Sequence, residues 1–90
     1  MNKILLVVNE WDPIGFFPMA PKDEYISEIN KIYEYLNISQ DITVDELAEK
    51  INEIFLMSFG SDVYVEDIEG CIKVAKAIIS NYLNKDSSII

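Results

Sequence analysis

The side chains with the most chemical capability are crowded into one stretch, WDPIGFFPMAPKDEY, at residues 11–25. It holds Trp11, Asp12, Asp23, Glu24 and Tyr25, together with Gly15 and all three prolines of the chain, Pro13, Pro18 and Pro21. Brought together, these residues form an acidic-aromatic patch able to take a lysine or arginine from a partner. Carboxylates bond such a cation strongly, and an aromatic face attracts it further. Turn chemistry explains the same residues differently. A residue before proline is pushed out of the helical region, so a helix should stop near Trp11. Asp12-Pro13-Ile14-Gly15 matches a type I turn, Pro18 and Pro21 restrict the loop, and Trp11 anchors it with its indole N–H on a backbone carbonyl or a carboxylate. Dipole complementarity accounts for Asp23 and Glu24 in the first turn of a helix. The corner reading therefore takes precedence over the site reading.

Elsewhere the chemistry is bounded by what is missing. The chain has no histidine, which removes the usual general base near neutral pH, the Ser-His and Cys-His nucleophile pairs and the commonest transition-metal ligand. Cys71 lies among Ile68, Ile72 and Ala75 and reads as a small core residue. One cysteine forms no internal disulfide, in keeping with a reducing compartment, and rules out a zinc site without histidine. The acidic run SDVYVEDIEG does not follow the spacing of a calcium loop. It reads as a helix start, with Asp62 as the cap and Glu66 and Asp67 in the first turns. Gly15, Gly60 and Gly70 are isolated, so no phosphate loop is present. No catalytic residue, metal ligand or cofactor is expected, although carboxylate pairs alone do support some enzymes.

Seven basic residues against sixteen acidic ones give a net charge of -9, with no arginine. Nucleic acids are held through lysine and arginine, so nucleic-acid binding is not expected. An acidic surface suits a basic protein partner, although charge also serves solubility alone. The opening MNKILLVVNEW has too short an apolar run for a signal peptide or a membrane span, which points to a cytoplasmic protein.

The elements that must position these residues read as helices. Residues 2–11 carry Ile4, Leu5, Val8 and Trp11 at helical spacing, with a buried strand as the alternative. Tyr25, Ile26, Ile29, Ile32, Tyr33 and Leu36 recur at steps of three and four, with Glu24, Glu28, Asn30, Lys31 and Glu34 opposite them. Pro21 suits the first helical position there. Thr43 and Glu46 form a capping box, with Ile42 and Leu47 as its hydrophobic staple. Leu47, Ile51, Ile54, Phe55 and Ser58 continue as a core stripe, Glu46 and Lys50 make an i,i+4 pair, and Gly60 ends the helix. Residues 65–83 form the last helix, on a stripe of Ile68, Ile72, Ala75, Ile79 and Tyr82 widened by Cys71, Ile78 and Leu83. Gly70 inside it costs about 1 kcal/mol against alanine, so it marks the close approach of another helix. The expected fold is an all-α bundle of three long helices plus a short N-terminal one. Residues 1–84 make a single domain and residues 85–90 a frayed tail.

NEWDPIGFFPMAPKDEY, followed by ISEI, LAEKINEIF and SFG, resembles the YugE-like family of small bacterial proteins of unknown function. The resemblance runs from about residue 8 to residue 79 and implies a compact helical domain with no assigned activity. Similar W-DP-G and DEY signatures occur among immunity proteins of bacterial toxin systems, which are small acidic inhibitors. The matching positions here are Trp11, Asp12, Pro13, Gly15, Asp23, Glu24 and Tyr25. The functional expectation is a non-catalytic protein-binding module that presses the Trp11–Tyr25 corner against a basic partner, in its sharper form an inhibitor of a basic toxin. A structural homo-oligomer is the alternative, and a small carboxylate-based enzyme a weaker one.

Overall fold

The computed structural model describes residues 2–16, 19, 24–38 and 41–82. Four helices follow in order: α1 (Asn2–Trp11), α2 (Ile26–Ile38), α3 (Val44–Phe59) and α4 (Ile68–Tyr82). No strand occurs among the described residues. Each helix packs on its neighbours in sequence and α1 closes onto α4, so the four form an all-α bundle with the core at its centre. Residues 2–11 are thus helix rather than strand. Pro21, Asp23, Leu83 and the tail expected at 85–90 lie outside the described residues.

The core is built from the predicted stripes with informative departures. Ile4 and Val8 of α1, Ile29, Ile32 and Leu36 of α2, and Leu47, Ile51, Ile54 and Phe55 of α3 are buried. In α4 the buried arc runs through Cys71, Val74, Ala75 and Ile78, while Ile72 and Ile79 only flank it and Ile68 is 47% exposed. The cause is that α4 is clasped between α1 and α3, which turns its inward side toward the Cys71–Val74–Ile78 row. Ser58, expected in the α3 stripe, is exposed, because Phe59 takes the last inward place and stacks on Phe55 at 6.0 Å. Glu28, expected on the polar side of α2, is buried and its Oε1 has no hydrogen-bond partner. It stands in the first turn of α2, where the positive end of the helix dipole favours a carboxylate.

The helix ends set the loop geometry. Thr43 and Glu46 close the capping box through reciprocal bonds of 3.1 Å each. Lys50 pairs with Glu53 at 3.0 Å rather than with Glu46, whose carboxylate faces the cap instead. Gly60 ends α3 with φ 79° and ψ 162°, a conformation open essentially to glycine alone. Its N–H bonds the Leu56 carbonyl at 2.8 Å. The next helix starts at Ile68, not at Val65, and its cap is Asp67, whose Oδ1 accepts the Gly70 N–H at 3.0 Å. Asp62 instead lies in a turn at 61–63 that folds back on Gly60 through the N–H groups of Val63 and Tyr64. The reason is Tyr64, which is 1% exposed. Driving that ring into the core holds residues 64–67 out of a helix.

Candidate functional site

The end of α1, the start of α2, the end of α3 and the start of α4 meet at one pole of the bundle, around an aromatic cluster. Phe55 is its hub, with Trp11 edge-on at 5.2 Å, Tyr25 at 5.7 Å and Tyr64 at 5.9 Å between ring centres. Phe16 and Phe59 extend the cluster, each against Tyr25. Aromatic pairs at such distances contribute about 0.5–1.5 kcal/mol each beyond their area.

Asp12 and Tyr25 are brought together inside the corner. Asp12 stands just past α1 with φ 45°, a left-handed conformation that aspartate tolerates better than most residues. Its N–H bonds the Val8 carbonyl at 2.8 Å, closing the helix, and its carbonyl accepts the Gly15 N–H at 3.1 Å, closing the turn over Pro13 and Ile14. Gly15 itself has φ 81°. The Asp12 carboxylate accepts the Phe16 N–H at 2.9 Å and the Tyr25 hydroxyl at 2.6 Å. That hydroxyl in turn accepts the Ile14 N–H at 3.0 Å. Tyr25 is fully buried. Burial first, and donation to Asp12 second, hold its hydroxyl well above the ordinary tyrosine range.

Trp11 points away from this pair, toward Phe55, Tyr64 and α4. A Cβ on Gly70 would stand 2.8 Å from its indole nitrogen and would collide with the capping carboxylate of Asp67. The close approach that Gly70 permits is therefore made by a side chain from α1 and by the helix's own cap, rather than by a second helix backbone. Glu24 is exposed in the turn before α2, and Asp23 lies outside the described residues. Among the described residues of the predicted patch, Glu24 is exposed and Trp11 and Asp12 are half-buried.

A second network escapes sequence reasoning. The Tyr64 hydroxyl donates to Asn52 Oδ1 at 2.7 Å and lies 3.4 Å from Cys71 Sγ, while Asn52 Nδ2 donates to Glu66 at 2.8 Å. These bonds tie the 60–67 loop to α3 and α4. Burial raises both the Tyr64 hydroxyl and the Cys71 thiol above their usual ranges. Tyr25, Tyr64 and Cys71 are accordingly all held in their neutral forms near pH 7. The available signal was an aromatic residue flanked by two valines within an acidic loop, a placement that burial explains and helical periodicity does not.

The outer surface of the pole carries Val63, Val65 and Ile68 at 53%, 78% and 47% exposure. Asp62, Glu66, Asp67 and Glu69, all exposed, lie between and beside them. Among the described residues no three thiol or carboxylate groups converge as a metal site requires, and no helix is long and apolar enough to cross a membrane. No curated protein and no solved structure matches the chain. A family model does match, over residues 3–88 and hence over the whole bundle: the chain belongs to DUF1871, a domain of unknown function.

Proposed function

We propose that this chain is a non-catalytic protein-binding module whose acidic pole docks a basic partner. The observation that carries this reading is the 61–69 segment, where exposed Val63, Val65 and Ile68 are interleaved with Asp62, Glu66, Asp67 and Glu69. Aliphatic side chains supply area to bury, and the carboxylates around them supply the field that steers a cation-rich surface. Hydrogen bonds hold the segment in place, from Tyr64 to Asn52 and beside Cys71, from Asn52 to Glu66, and from the Gly70 N–H to Asp67. A preformed surface loses little freedom on binding. The likeness of the WDPIG and DEY motifs to immunity proteins, within a YugE-like setting, supports the sharper form: an inhibitor that blocks a basic toxin by occlusion.

The test is affinity capture from native lysate at low and moderate salt. The wild-type chain is compared with Asp62→Asn/Glu69→Gln and with Asp23→Asn/Glu24→Gln. The expected result is a basic protein retained by the wild type, released as salt rises and lost from the first double variant. Recovery of the same proteins by wild type and the 62/69 variant would refute the pole as the docking surface. Loss with the 23/24 variant alone would move the contact to the other side of the corner.

A further inference from the structure

The acid of this chain is unevenly spread. Helices α2 and α3 carry two lysines against six carboxylates, whereas α1 and α4 carry Lys3, Lys73 and Lys76 against only Glu10 and Glu69. In a molecule of net charge -9, helices α1 and α4 thus carry nearly balanced charge, which weakens the repulsion a like molecule meets there. A groove of about 320 Å³ runs between these helices, with Leu6, Val7 and Glu10 on the α1 bank and Gly70, Lys73, Val74 and Ala77 on the α4 bank. Leu6 is 67% exposed on its rim, while Trp11 closes the Gly70 end and Ala77 leaves the rest of the α4 bank shallow. Glu10 and Lys73 line opposite banks, yet no ion pair joins them.

From this we infer that the α1–α4 groove is a self-association surface, filled by a second copy of this chain across a two-fold axis. Under such symmetry each contact occurs twice. Leu6 of one copy lies over the Val74–Ala77 bank of the other, and Glu10 of one meets Lys73 of the other in both directions. Unlike charges thus face each other at the seam and apolar side chains fill it. The groove between α2 and α3 is lined by Lys31, Glu34, Lys50 and Glu53 with Ile38 and Met57, but it borders Glu46 and Glu49 as well, so its surroundings carry more acid than those of the α1–α4 groove. Helices of ten and fifteen residues span about 15 and 22 Å, and two side by side are about 20 Å wide. Such a face places the interface at the small, weak end of the range for specific contacts. The association is expected in the micromolar range.

Sedimentation of the full chain across a concentration series tests this. The wild type is expected to shift from monomer to dimer, and Leu6→Glu to remain monomeric with an unchanged helical spectrum. Glu10→Lys and Lys73→Glu should each weaken association about tenfold or more, and the double exchange should restore it, because the pairs re-form with reversed sign. A wild type that stays monomeric up to about 1 mM, or a dimer insensitive to Leu6→Glu, would overturn the assignment. Restoration by the double exchange separates a specific seam from general loss of fold. An apolar seam also persists at salt that dissolves an ionic complex, so this result stands or falls apart from the docking of a basic partner at the pole.

Discussion

At the scale of single residues, the corner turns on one hydroxyl. Tyr25 donates to the Asp12 carboxylate and accepts the Ile14 N–H while fully buried, so Tyr25→Phe removes both bonds and leaves the carboxylate short of a donor. The expected loss is about 1.5–3 kcal/mol, the range for a bond to a charged group, measured by equilibrium denaturation. The raised hydroxyls of Tyr25 and Tyr64 have a further consequence. In the unfolded chain both titrate near 10, while in the folded chain they keep their protons to higher pH. The tyrosine contributions are therefore intact below about pH 10 and fall above it, because the unfolded state releases those protons first, while the raised Cys71 thiol adds a loss that begins near its ordinary value of 9.0. Each tyrosine contributes at most about 1.4 kcal/mol per pH unit, and Tyr25→Phe should flatten the alkaline fall measured by denaturant midpoints between about pH 9 and 11. Cys71, fully buried with a raised thiol, should react with a thiol reagent only at the rate of unfolding. Prompt modification in native buffer would contradict its placement.

At the scale of elements, most of the design was legible because helical period and cap chemistry are local. The stripes of α2 and α3, the Thr43–Glu46 box and the stop before Pro13 all follow from neighbours within a turn. What escaped was set by tertiary contact. The start of α4 moved from Val65 to Ile68 because Tyr64 is drawn into the core from the loop. The buried arc of α4 is turned by its two flanking helices, which no single-helix pattern contains. Gly70 was legible as a place of close approach, but not as a seat for an indole. Local propensity alone makes Gly70→Ala stabilising by about 1 kcal/mol. The space is already filled by Trp11 and the Asp67 cap, and crowding of that kind costs about 1–3 kcal/mol. Net destabilisation is therefore expected, seen as a lower denaturation midpoint by circular dichroism; a higher midpoint would mean that the cap and the ring yield freely.

At the scale of the whole molecule, a net charge of -9 on 90 residues is a standing repulsion, concentrated on α2, α3 and the pole. Screening relieves it, so the denaturation midpoint should rise as salt goes from about 0.01 to 0.15 M. A domain of this size buries a modest share of its surface, which gives the aromatic cluster a large part in holding the four helix ends together. Trp11 is the chain's one tryptophan, and its ring meets Phe55 of α3, Tyr64 of the loop and the bare backbone of Gly70 on α4. The molecule thus carries its own gauge. Any event that parts α1 from α4, or that covers the pole, changes the surroundings of a single indole. Its emission colour and lifetime can follow docking, pairing and unfolding without a label being attached.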